Sequence, residues 1–402
     1  MNQWTPINKE ETQGNQPIRK SLTYWQDVWR RLRQNVMAMT GLVMILAISG
    51  LAIFGPMFSP FSYSEQNLQL ANIAPQIEIT KINDKNYVFV HNEYRLVSVT
   101  EDGEFIGAPE VIAENKMERY ITYKIDGKEV KFDYSLAMST RKKGQKVTEE
   151  ENSDMKSKYE IYVDGEKIDK YDTKTVLNKT NIMGTDTLGR DVWTRVLYGA
   201  RISLTVGLVA SIVNLFIGVL YGGIAGYEGG KMDNIMMRIV DIISSVPLLL
   251  IVILLMVIIE PGLKTIIITI GMVYWVGMAR LVRGQVLSLK EQEFVLAARA
   301  LGVSKSKIII KHLIPNAIGP IVVSMMMSIP SAIFTEAFLS FIGLGVSAPE
   351  ASWGTLANDA LGGIRSYPYQ LIIPSIAIAL TMFAFNFLGD GLRDALDPRL
   401  RK

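Results

Sequence analysis

The chain of 402 residues carries 42 Lys and Arg against 39 Asp and Glu, a formal net charge of +3 too small to argue for nucleic acid. Its 49% hydrophobic content and mean hydropathy of +0.21 exceed what a soluble domain needs and point to a membrane. With no cysteine, and with only His91 and His312 far apart in the chain, disulfide frameworks, thiolate sites and an internal histidine-rich metal centre are excluded.

The opening segment, 1–35, ends in the basic and aromatic run YWQDVWRRLRQN and reads as cytoplasmic. The apolar stretch 36–58, closed by Pro56 and Pro60, is long enough to cross about 30 Å of hydrocarbon. It is too long and too late to be a cleaved signal peptide, so it reads as a retained transmembrane helix. Segment 59–183 differs in kind, with 18 Lys and Arg against 22 Asp and Glu. Its alternating runs, YVFVHNEYRLVSV, YITYKIDGKEVKFDY and YEIYVDGEKI, predict strands of a separate extracytoplasmic β-rich domain. The pairs Asp126-Gly127 and Asp164-Gly165 suit tight hairpins that need positive φ. The charged run 141–158 predicts a mobile loop.

Five further spans are expected in a core over 184–390, at 202–227, 235–259, 264–283, 317–346 and 371–388, with a tail at 391–402. Six spans place both termini on one side. Arg30, Arg31 and Arg33 precede the first span, and Lys231 and Arg238 lie between the second and third. Arg280, Arg283, Lys290, Arg299, Lys305, Lys307 and Lys311 lie between the fourth and fifth, and Arg393, Arg399, Arg401 and Lys402 follow the sixth. All fall on one side, which the positive-inside rule makes the cytoplasm. Before the second span, 183–204 predicts an amphipathic helix along the outer surface, capped by Thr185 or Asp186. No histidine or second carboxylate cluster accompanies Asp186, Arg190 and Asp191, which argues against catalysis there. Ser203 with Gly207, and Gly218 with Gly222, are small pairs four apart that suit close helix packing.

Asn214, Glu336 and Asn386 are polar intruders in apolar spans. Glu336 either faces a water-filled path or makes structural hydrogen bonds. Arg238 and Asp241 are spaced for a local pair. From Gly343 to Ala360 a turn and a short interfacial helix capped near Ser352 are expected. Together with Glu336, the residues Ser340, Trp353 and Asn358 form a candidate pore or outer gate. The loop 284–316 carries a short helix whose small face is Phe294, Ala297, Ala298 and Leu301, ended by Gly302 and followed by Lys305, Lys307 and Lys311. No nucleotide-binding phosphate loop is present, since Gly230-Lys231 is followed by Met232.

AARALG at 297–302 with HLIP at 312–315 resembles the cytoplasmic EAA loop of ATP-binding-cassette (ABC) importer permeases. GTDTLGRD at 184–191 and EAFLSFIGLGV with SWGTLANDA within 336–360 look like the peptide and nickel branch, and within it the C-type (OppC-like) oligopeptide permease subunits. The resemblance implies an α-helical polytopic membrane protein of the type I ABC importer fold, with six transmembrane helices and the β-rich domain inserted. It implies a permease subunit, not an enzyme, that forms half of the path for oligopeptides across the cell membrane, with dipeptides or nickel left open as cargo. It implies a coupling loop of Glu293, Phe294, Ala297, Ala298, Arg299, Gly302, His312 and Pro315, and an outer motif of Gly184, Asp186, Gly189, Arg190 and Asp191. The implied partners are a second permease (OppB-like), two ATPases (OppD- and OppF-like), an extracytoplasmic peptide-binding lipoprotein (OppA-like), peptide and membrane lipid. No cofactor is expected on this chain, ATP and Mg belonging to the ATPases. Where the glutamate of the EAA loop usually stands this chain has Leu296, with Glu293 three residues earlier. A channel or secondary transporter would have no need of such a loop, and a membrane-anchored enzyme would need a nucleophile motif that 59–183 lacks.

Overall fold

A computed structural model describes residues 23–83, 86–91, 93–135, 159–168 and 173–397. The charged run expected as a mobile loop at 141–158, and Arg399, Arg401 and Lys402, lie outside them.

Among the described residues the inserted domain forms two antiparallel sheets. The first has the order β10-β1-β2-β3-β4, from β1 (Gln76–Lys81), β2 (Tyr87–His91), β3 (Arg95–Val99), β4 (Phe105–Gly107) and β10 (Thr173–Leu177). The second runs in chain order through β5 (Glu110–Asn115), β6 (Tyr120–Ile125), β7 (Lys128–Asp133), β8 (Glu160–Val163) and β9 (Glu166–Lys167). The chain leaves the first sheet after β4, builds the second, and returns to pair β10 with β1, Gln76 opposite Leu177. The domain therefore begins and ends at one place. Asp126 and Gly127, at φ 51° and 79°, and Asp164 and Gly165, at 50° and 88°, make the two tight turns expected of Asp-Gly. Val88, Leu96, Val130 and Phe132, inward on the alternating strands, share one apolar core across both sheets.

Most of the other described residues are helical. α1 (Tyr24–Gln34) leads into α2 (Val36–Phe58); then come α3 (Val192–Glu228), α4 (Gly230–Ser245), α5 (Leu248–Ile259) and α6 (Leu263–Leu289). The short α7 (Glu293–Ala300) and a bent helical stretch over 305–316 precede α8 (Ile318–Leu344), α9 (Trp353–Asp359) and α10 (Tyr369–Leu396). Among the described residues, five helices are long and apolar enough to cross a membrane, and the α4–α5 pair makes a sixth crossing if taken as one span. The chain is thus a multi-pass membrane protein. The spans alternate in direction, so the β-rich domain, the start of α3 and α9 share one end of the bundle, and α7 with the basic loops shares the other.

Three local expectations are corrected. The third span is broken, α4 and α5 meeting at 82°, because Pro247 lacks a backbone donor and Ser244 and Ser245 hydrogen-bond back to the carbonyls of Val240 and Ile242. No separate surface helix precedes the second span. Asp191, not Thr185 or Asp186, caps a single helix of 37 residues, its carboxylate accepting from Thr194 N at 2.7 Å. At about 1.5 Å per residue that helix outruns the hydrocarbon, so its first turns stand beyond it. Asp241 pairs with Arg280 on α6 at 2.9 Å rather than with Arg238, and Asp233 holds Arg283 by two bonds of 2.6 Å, because α6 runs alongside α4 at this end.

The small pairs set the packing as expected. A Cβ at Gly222 would lie 2.3 Å from Ala279 O, and one at Gly207 2.9 Å from Ile333, so α3 touches α6 along one face and α8 along another. Gly41 meets Ala384 O in the same way, locking the first span against the last.

Candidate functional site

Two constellations stand at opposite ends of the bundle. At the basic end, α7 rests on its own chain through Val295 and Ala298, which are buried with Val282, Val286, Ile308 and Leu313. The face expected from spacing is therefore split: Ala298 points inward, while Phe294, Ala297 and Leu301 point outward, with Leu301 83% exposed. Spacings of three and four residues put these three on one stripe. The helix ends in a Schellman turn, Gly302 N bonding Arg299 O at 3.0 Å and Val303 N bonding Ala298 O at 3.1 Å. Gly302 takes φ +72° there, a conformation that glycine adopts without a Cβ penalty. Arg299 lies over the Tyr227 ring, Lys305 pairs with Glu228 at 2.9 Å, and Lys290 bonds Gly226 O at 3.1 Å, which ties the seat to the end of α3. Glu293 and Leu296 are exposed, His312 is half-buried, and Pro315 is exposed beyond the π-helical turn at Ile309–Leu313.

At the other end, the motif at 184–191 folds as a knot. The Asp186 carboxylate accepts from Leu188 N and Arg190 N, from Arg190 Nε at 2.7 Å and from an Arg195 Nη at 2.6 Å. Asp191 receives Asn181 and both donors of Thr194. Gly189 passes so close to the stretch before the domain that a Cβ would sit 1.7 Å from Asn67 O, and Gly184 lies against Ile73 O. Thr185 bonds Ile73 N, while Tyr369 and Gln370, at the start of α10, donate to Thr185 O at 2.7 and 2.9 Å. The motif thus binds together the entry to the β-rich domain, α3 and α10. Local pattern missed Arg195, Asp359, Tyr369 and Gln370. The available sign was Arg195 itself, a charge in the mostly apolar start of α3 that needs a partner.

The residues of the expected outer gate are packed together at this end. Glu336 is fully enclosed, its carboxylate accepting from Ser203 Oγ at 2.8 Å and Ser340 Oγ at 2.7 Å, which is the hydrogen-bonded alternative. Trp353 is buried too and donates to Val196 O at 3.0 Å. The cause is the close seat of α9, where a Cβ at Gly354 would lie 2.3 Å from Ala337 O. The cap at Ser352 forms as expected, accepting from Thr355 N. Asn358 is half-buried on the rim, bonding Phe341 O, beside a cleft of about 430 Å³.

Residues 218–402 match the model for the binding-protein-dependent transport system inner membrane component, and residues 23–75 that for the N-terminal TM domain of oligopeptide transport permease C. The dipeptide transport system permease protein DppC of Bacillus subtilis (strain 168) is 38% identical over 402 residues, all of this chain and 94% of the relative. This chain belongs to the family of binding-protein-dependent transport permeases. The oligopeptide transport system permease protein OppC of the same organism is likewise 38% identical, over 100% of the permease and 98% of the relative, so both alignments include the inserted domain. OppC of Escherichia coli (strain K12) is 49% identical over 218 residues, 54% of the permease and 72% of its own length. A chain of the inward-facing MetNI methionine ABC transporter superposes with TM-score 0.43 at 19% identity, covering 50% of the permease and 96% of that chain.

Proposed function

We propose that this permease forms half of the path by which an ATP-driven importer carries oligopeptides across the cytoplasmic membrane, with its termini and α7 on the cytoplasmic side. The observation that carries this reading is α7: a short helix held on a braced seat that presents Phe294, Ala297 and Leu301 outward from the basic end. An apolar stripe beyond the spans, flanked by Glu293 and Arg299, suits the cleft of a partner ATPase. ATP and Mg would stay on two such ATPases, so the chain itself carries out no hydrolysis. Closure of the ATPases pushes the braced seat, and through Tyr227, Glu228 and Gly226 the push reaches α3 as a rigid-body motion. A second permease completes the path, and an extracytoplasmic peptide-binding lipoprotein delivers cargo at the end that carries the β-rich domain.

A dipeptide cargo is the second reading, supported by the 38% identity shared with a dipeptide and an oligopeptide permease. Uptake of labelled di- and pentapeptides, measured in a strain lacking this gene and in the same strain with it restored, separates the two. Restored pentapeptide uptake is expected. Restoration of dipeptide uptake alone would replace the cargo, and restoration of neither would overturn the peptide reading.

A further inference from the structure

We propose that the cleft between the 184–191 knot and α9 is a carboxylate subsite, which takes the free C-terminus of a substrate peptide in exchange for Asp359. The proposal rests on the peptide reading above. The cleft, about 430 Å³, is lined among others by Arg190, Arg195, Asn358, Asp359 and Glu350. Its charges are unevenly satisfied. Two guanidiniums, with side chains only 7% and 3% exposed, share one close carboxylate, Asp186, which already accepts four hydrogen bonds. One buried positive charge is left for Asp359, and that partner is loose: its side chain is 46% exposed, and its oxygen lies 3.5 Å from Arg195 and 3.8 Å from Arg190. Arg195 Nε is buried with no hydrogen-bond partner.

Each guanidinium has one close acceptor in Asp186 but its second carboxylate only at 3.5–3.8 Å, so a carboxylate that approaches more squarely than Asp359 gains charge-assisted bonds. Asp359 stands at the end of α9, where a swing toward solvent breaks only these long contacts. An incoming carboxylate would therefore replace a half-hydrated counter-ion rather than add a charge. Glu350, across the same cleft, offers an acceptor to the ammonium or amides of a short peptide. The recognised feature is common to all linear peptides and independent of side chains.

The test is equilibrium binding of trialanine and of trialanine amide to the purified assembled importer without its binding protein, for wild type, Asp359→Asn and Asp359→Glu. The free acid should bind about fivefold or more tightly than the amide. Asp359→Asn should strengthen binding of the free acid severalfold and leave the amide unchanged, while Asp359→Glu, which keeps the competing charge, should follow wild type. Equal binding of acid and amide, or an Asp359→Asn effect common to both, overturns the subsite. If Asp359→Asn instead alters only retention of the binding protein, the carboxylate comes from that protein and the proposal falls. Wild-type uptake of both peptides with no acid–amide difference in binding rejects the subsite alone, whereas absence of uptake for every peptide rejects the cargo reading beneath it.

Discussion

Asp186 is the residue on which the knot turns, because it is the close counter-ion of two buried guanidiniums. Asp186→Ala should cost about 3–5 kcal/mol, the penalty of leaving buried charge uncompensated, read as a lower Tm of the purified permease. A change within the error of wild type would show that the arginines find other partners. Two glycines at φ +72° offer a matched pair, since Gly189 has no room for a Cβ and Gly302 has open space around it. Gly302→Ala should cost about 1–2 kcal/mol for the left-handed conformation alone, and Gly189→Ala distinctly more, since the Asn67 carbonyl cannot move without dragging the domain entry. Equal costs would contradict the crowding. The motif resemblance singled out Gly184, Asp186, Gly189, Arg190 and Asp191, which fold together in the knot. Their partner Tyr369 lies 184 residues from Thr185, and no local pattern reports such a separation.

At the scale of elements, hydropathy runs of about 20 residues and period-two alternation located the spans and hairpins, and the Asp-Gly turns followed from backbone sterics. What did not follow was decided by neighbours. The surface helix merged into α3 because α9 covers its first turns through Trp353, and the third span broke at Pro247. The α7 face was half legible: three- and four-residue spacing chose the stripe, but only packing shows that Ala298 belongs to the seat and Ala297 to the free side. A prediction separates them. Ala298→Trp should lift α7 off Val286 and Ile308, because a packed core does not absorb that volume cheaply. Hydrogen exchange over 293–308 should then rise severalfold in the isolated permease. Ala297→Trp should leave it unchanged, and a rise for both would place Ala297 in the seat.

Across the whole molecule, the β-rich domain is an insertion whose two ends meet at the Gln76–Leu177 pair, so its removal need not disturb the spans. Replacing 77–176 with a two-residue turn should give a permease that still inserts and still pairs with the second permease. If the domain docks the binding lipoprotein, uptake should fall only where that protein is limiting. Loss of insertion would instead make the domain part of the folding core. The central claim, that α7 joins these spans to an ATP-driven partner, is tested most directly by co-purification of the ATPases with the permease carrying Ala297→Trp. The account predicts a membrane-inserted protein, still paired with the second permease, that has lost its ATPases and its ATP-driven peptide uptake. Full retention of ATPases and uptake would contradict it.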